Sequence, residues 1–313
     1  MRPILMTWFP TDRHGLIRRE STLRVGITDD TVAAAVDGGD LIRLAPGVYV
    51  EATPDTADPT AAHRLRSIAV ATSARDRGTT TLSHDSAAAI LGLELLHPDR
   101  EAVHLTKKSN AGGFVRGHRH VHNGPLTSAE IKIVDGIEVT TLERTAVDVA
   151  TNGDFAQALV AFDRALAMKA DPSAMTAILD ARSRRPGTRI ARRALSFADS
   201  SSESVGESWS RAQMIAAGLP VPRLQHRFRT SQGEARADFD WDGRLVGEFD
   251  GLQKYGMRPA ETPREALLRE KRREDALRAM GIMVVRWTWA ELERGELVGL
   301  LRPWLVKLGL AAA

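Results

Sequence analysis

The spacing of apolar residues changes period several times along the chain, and the changes divide it. Leu16, Ile17 and Leu23, followed by Gly26, predict a helix over 16–25 with a glycine stop. Thr28 is placed to cap a second helix, Asp29 to Asp37, with Val32, Ala33 and Val36 inward and Gly38-Gly39 ending it. Leu41 to Leu44, a Pro46-Gly47 turn and Val48 to Val50 then predict two paired strands. Helix, turn, helix and a two-stranded wing make a winged helix-turn-helix arrangement over residues 1–52, whose second helix would enter a major groove. A mixed α/β region is expected over 53–150. Helical period returns at Phe155, Leu159, Phe162 and Leu166, Asp171-Pro172 starts another helix, and Arg185-Pro186-Gly187 breaks it. Residues 151–199 thus read as a helical connector.

From residue 200 to 313 the pattern predicts α-β-β-β-α-β-α. The elements are helix 204–217, strands 221–229, 235–241 and 245–250, helix 264–280, strand 282–287 and one or two helices over 290–308. The order suits a small mixed sheet flanked by helices, so the expected fold class is α/β, in the form of a multi-domain α+β chain.

Composition narrows the classes. The 313 residues suffice for two or three domains with proper cores, and 43% apolar with 27% charged residues is the balance of a globular protein. The absence of cysteine excludes disulfide scaffolds, zinc knuckles and thiol nucleophiles. No apolar run approaches the roughly 18 residues of a membrane span, and Met1 to Gly15 lacks the apolar segment of a signal peptide, so a cytoplasmic protein without a membrane partner is expected. Lys+Arg (43) and Asp+Glu (40) nearly balance, but six arginines fall between Arg182 and Arg193. Such a run is either a solvated helix face or a stripe for phosphates.

The stretch from Gly15 to Val50 resembles the N-terminal winged domain of AbiEi-type antitoxins of type IV toxin–antitoxin systems. The resemblance continues through Leu82-Ser83-His84-Asp85-Ser86-Ala87-Ala88 and through Val134 to Ala150, with its Leu142-Glu143-Arg144-Thr145-Ala146-Val147-Asp148 core, and covers roughly residues 10–150. It implies binding to DNA and to a cognate toxin. The second helix departs from its relatives: it carries Asp29, Asp30 and Asp37 and no Lys or Arg, which opposes contact with a phosphate backbone. His118, His120 and His122 share one strand face at period two, but no further ligands stand at an obvious spacing, so they read as surface strand histidines.

Candidate chemistry concentrates in the hairpin around Asp242-Gly243, whose strands carry Asp238, Asp240, Glu248 and Asp250. A two-residue turn would place Asp238 and Glu248 on opposite faces; a three-residue loop, Asp242 to Arg244, pairs Trp241 with Leu245 and sets Asp238 across from Glu248. In that register, the one expected here, their Cβ atoms would lie roughly 4.5–5.5 Å apart. Two carboxylates that close make most sense around a divalent cation, and hard oxygen ligands suit Mg²⁺ or Mn²⁺. An ordinary account of the neighbours also exists: Asp250 would pair with Arg236 across the strands, and Glu207 with Arg211 along the helix.

The segment 200–305 resembles the very-short-patch-repair-like branch of the PD-(D/E)XK nuclease superfamily. The matching pieces are Glu207-Ser208-Trp209-Ser210-Arg211, Ala237-Asp238-Phe239, Val246 to Gly251 with Lys254-Tyr255-Gly256, and Glu270 to Arg278 leading to Val285-Arg286-Trp287. The resemblance implies Asp238 and Glu248 as metal ligands with Glu207 contributing, and a metal-bound water attacking a DNA phosphodiester. Asp250 stands where the superfamily has a lysine, so Lys254 or Lys271 would have to bring the ammonium. Tryptophans 209, 241, 287, 289 and 304 are expected as core anchors. The leading expectation is a metal-dependent DNA endonuclease with an antitoxin-like N-terminal region, possible as a homodimer because cutting both strands needs two sites. Its rivals are a DNA-binding antitoxin with a silent nuclease-like domain and a toxin-neutralising module.

Overall fold

The computed structural model describes residues 8–108, 112–182, 185–251 and 262–312. The chain is α+β and divides into two units, one of residues 1–93 and 97–148, the other of 94–96 and 149–313.

In the first unit, β1 (Ile17–Arg18), α1 (Arg19–Arg24), α2 (Asp29–Asp37), β2 (Leu41–Ala45) and β3 (Val48–Glu51) form the winged arrangement, with sheet order β1-β3-β2. The helix expected over 16–25 is shorter than its apolar spacing suggested. Ile17 and Arg18 are extended and pair with Tyr49 and Val48, since the open edge of the wing offers them backbone partners. α2 has the expected bounds, and Thr28 accepts the Thr31 N–H at its start. There follow α3 (Pro54–Ala57), α4 (Pro59–Ala71), β4 (Thr80–Leu82), α5 (His84–Leu91), β5 (Val103–Lys107), β6 (Phe114–Arg116), β7 (Arg119–His122), β8 (Ile131–Val134), β9 (Ile137–Thr140) and α6 (Leu142–Asn152), whose residues from Val149 on count with the second unit. The second sheet runs β6-β7-β5-β4-β9-β8, with β5–β7 and β4–β9 parallel. One apolar core joins wing to sheet: Leu16, Leu44 and Val48 pack in the same cluster as Ile68, Leu82, Leu105 and Val139.

The second unit contains α7 (Phe155–Ala167), α8 (Pro172–Ala181), α9 (Thr188–Phe197), α10 (Val205–Ala216), β10 (Arg223–Thr230), β11 (Gly233–Trp241), β12 (Leu245–Asp250), α11 (Pro263–Ala279), β13 (Met283–Thr288), α12 (Trp289–Glu293) and α13 (Leu297–Lys307). Its sheet is β10-β11-β12-β13, antiparallel except that β13 runs parallel to β12. The helices over 151–199 are an integral part of this unit: α7 packs against α9 and α10, with Leu159, Val160 and Phe162 wholly buried. The arginine run serves the same packing, with Arg192 paired to Asp180 at 2.5 Å and Arg193 over the Phe155 ring. Among the described residues, no helix is long and apolar enough to cross a membrane.

Candidate functional site

The turn of the β11–β12 hairpin sets the register. Asp242 and Gly243 both adopt positive φ (61° and 65°), the Gly243 N–H reaches the Asp240 carboxylate at 2.8 Å, and the Arg244 N–H returns to the Trp241 carbonyl at 3.1 Å. Trp241 pairs with Leu245 and Phe239 with Gly247, the three-residue-loop register. One more step brings Asp238 level with Glu248. There the side chain takes over from the ladder, and Asp238 Oδ2 accepts the Phe249 N–H at 3.0 Å.

The two carboxylates have different company. Asp238 Oδ1 accepts from Gln225 Nε2 at 3.3 Å, and the same amide donates to Glu207 Oε2 at 2.9 Å. Burial, and next the charge of Glu207, push Asp238 up to about 6, against the pull of the Phe249 N–H and Gln225. Glu248, 5% exposed, is held by Arg273 at 2.6 Å from α11 and by Arg286 at 2.9 Å from β13. Asp238 and Glu207 therefore come together, whereas Glu248 is turned to two arginines.

Glu207 also closes the first turn of α10. Its carboxylate accepts the Glu203 N–H and the Ser204 hydroxyl, while Ser204 accepts the Glu207 N–H. The expected Glu207–Arg211 pair is absent, because Arg211 turns to the buried Asp163 of α7 and to the Phe197 carbonyl. Arg236 pairs with both oxygens of Glu203 at 2.7 Å, in place of the expected Asp250; Asp250 is exposed at the end of β12. Lys271 is exposed on α11, and the cations placed on Glu248 are arginines. Lys254 lies outside the described residues. The tryptophans anchor the unit: Trp209, Trp241 and Trp287 are buried, Trp289 and Trp304 partly so, and Trp287 donates to Ser210 at 2.7 Å.

A second constellation lies in the first unit. His120 and His122 on β7 are partly buried and share a face with His104 on β5, in the parallel register His104↔His120 and Thr106↔His122. His84, the first residue of α5, stacks on His122 with ring centres 3.7 Å apart. Only His118 stays at the surface, against the Glu101 carbonyl. Period-two spacing marked His120 and His122; their partners, 18 and 38 residues from His122, carried no local signal. Nearby, the Leu142–Asp148 motif has a structural task. Arg144, 2% exposed, pairs with Glu130 at 2.6 Å and Asp148 at 3.0 Å, and donates to the Pro125 carbonyl.

Residues 80–195 match the AbiEi antitoxin C-terminal domain. Two proteins of Mycobacterium tuberculosis, one from each of two strains and each described as uncharacterized, are 31% identical to the chain over 263 residues, 83% of its length and 89% of theirs. The chain belongs to the family of these mycobacterial proteins. The matched stretch contains both the histidine cluster and the Arg144 clamp, whereas the β11–β12 carboxylates lie beyond it. The match thus covers the later part of the antitoxin-like region and the helices that follow it, leaves out the winged residues 1–52, and holds no counterpart to the nuclease resemblance of residues 200–305.

Proposed function

We propose that the protein is a toxin–antitoxin-type DNA-acting protein whose second unit is an Mg²⁺- or Mn²⁺-dependent endonuclease. The observation carrying this reading is the pairing of Asp238 with Glu207 over one Gln225 amide, with burial and like charge raising Asp238. A buried and a half-buried carboxylate sharing one neutral amide donor suit a hard divalent cation. Asp238 and Glu207 would hold it, with Glu248 and Asp250 at the neighbouring positions of β12. A bound ion supplies charge for the phosphate and acidifies a coordinated water. Arg273 donates to both Glu248 and the Arg236 carbonyl, which positions a cation beside the carboxylates for a phosphate. Lys254 and Lys271 complete the candidates for that task. The AbiEi domain supports a cognate toxin and DNA as partners. On α2, Asp29 is bound by Arg19 at 2.5–2.7 Å, which removes one of the three opposing charges from the helix.

A second reading rests on Glu248. Its two arginines already neutralise it, the arrangement of a silent scaffold in a DNA-binding antitoxin. Nicking of supercoiled plasmid with Mg²⁺ or Mn²⁺ separates the readings. Metal-dependent nicking that falls at least about 100-fold in Asp238→Ala and Glu248→Ala supports the nuclease. Folded protein that cuts no DNA, yet binds it with steep salt dependence, selects the regulator.

A further inference from the structure

We propose that His84, His104 and His122 form a binding site for a divalent transition metal of the Zn²⁺ class, with Asp99 and Ser83 orienting the ligands from behind. One nitrogen from each of the three rings lies within 4.8 Å of the other two. His104 Nδ1 is 2.8 Å from His122 Nε2. Tetrahedral ligands at about 2.0–2.1 Å from zinc stand roughly 3.3 Å apart, so the pair needs to open by only about half an ångström.

The outer nitrogens are already spoken for. His104 Nε2 lies 3.1 Å from Asp99 Oδ2, and His84 Nδ1 lies 3.0 Å from Ser83 Oγ. This leaves Nδ1 of His104, the atom facing His122, free for a metal in the carboxylate–imidazole–metal relation that fixes ring orientation and tautomer, while the Ser83 hydroxyl would hold the His84 ring in the same way. Asp99 is itself held by the N–H groups of Glu101 and Ala102.

The backbone reinforces the arrangement. His84 adopts φ +50°, an uncommon left-handed conformation for a residue with a side chain, at the point where β4 gives way to α5. Next to it, the Ser83 N–H donates to the His104 carbonyl at 3.1 Å, and the Ser86 hydroxyl accepts the His104 N–H at 2.9 Å. These bonds tie the start of α5 to β5 at the residue that carries the second ligand. His84 and His104 are buried, and a metal takes imidazole in its neutral form. Imidazole donors without carboxylate ligands select Zn²⁺, Co²⁺, Ni²⁺ or Cu²⁺ over Mg²⁺. Three protein ligands leave a fourth position for water, beside His120, whose ring lies 4.0 Å from that of His122.

The test uses the full chain, stripped with EDTA and titrated with Co²⁺ in an absorbance cell. The expected result is one equivalent per chain with the d–d bands of a low-coordinate nitrogen site, displaced by Zn²⁺. His122→Gln should abolish the bands, and Asp99→Asn, at a half-exposed position, should weaken affinity about 10–100-fold. His118→Gln should bind as the parent does. Should His122→Gln fail to fold, Asp99→Asn carries the test alone. The proposal is overturned by folded wild-type protein that shows no saturable binding of Co²⁺ or Zn²⁺. It is equally overturned if Asp99→Asn, or a folded His122→Gln, binds at wild-type affinity, or if binding is lost in Asp238→Asn instead.

Discussion

Asp238 carries the cost of its surroundings on one carboxylate. Burial and the Glu207 charge raise its affinity for a proton to about pH 6, above the ~3.9 of an unfolded aspartate. A group whose native pKa is raised contributes stability below its unfolded pKa and loses that contribution as pH climbs through the native value. The wild-type second unit should therefore lose on the order of 1–3 kcal/mol between about pH 4 and pH 7. Asp238→Asn keeps an acceptor for the Phe249 N–H but carries no charge. At pH 7.5 the variant should melt several degrees above wild type, at about 2–4 °C per kcal/mol for a unit of this size. The two curves should converge below about pH 4. Thermal melts across this range give the answer, and a constant offset at every pH would deny the titration. Added Mg²⁺ should narrow the gap at pH 7.5 by raising wild type only.

Among elements, α7 and α10 are joined by a buried ion pair. Asp163 of α7 is fully buried, accepts from Arg211 of α10 and takes the Asp199 N–H at 2.8 Å, while Arg211 also donates to the Phe197 carbonyl. Breaking such a pair from one side leaves a buried charge uncompensated, at about 3–5 kcal/mol. Arg211→Met should lower urea resistance by that amount, and adding Asp163→Leu should recover more than half of the loss. Trp209, Trp241 and Trp287 provide the fluorescence readout. How far such contacts are legible in the chain depends on their range. The β11–β12 register followed from one local question, two loop residues or three, which Asp242 and Gly243 settle at positive φ. The α-β-β-β-α-β order followed from local periodicity in the same way. Arg211 looked like the helical partner of Glu207 because sequence exposes only neighbours at four residues. Its actual partner, Asp163, lies 48 residues earlier, on a helix with the apolar stripe of any packed helix. Glu248 shows the same limit: the sequence set it opposite Asp238 but gave no sign of Arg273 and Arg286, which reach it from α11 and β13.

Over the whole molecule, the two units carry polar clusters of opposite character. The first gathers imidazoles against β5, β7 and the start of α5; the second gathers carboxylates beside α10 and β12. Soft-to-borderline ions favour the former and hard ions the latter, so each unit should answer to a different metal. Tryptophan makes the units separable in one experiment. Trp8 lies in the first and is 73% exposed, whereas Trp209, Trp241, Trp287, Trp289 and Trp304 all lie in the second. Tryptophan fluorescence should therefore follow the second unit, while calorimetry follows both. Calorimetry of metal-free protein should resolve two transitions, of which fluorescence reports one. A metal that binds only the native state raises its own transition in proportion to the logarithm of free ion over Kd, about 2.7 kcal/mol at a hundredfold excess. Zn²⁺ should move the transition that fluorescence does not see, and millimolar Mg²⁺ the one that it does. A single transition that shifts as a whole with either ion would mean that the units unfold together. Mg²⁺ moving the transition that fluorescence does not see would overturn the assignment of the histidine cluster, because imidazoles do not hold Mg²⁺.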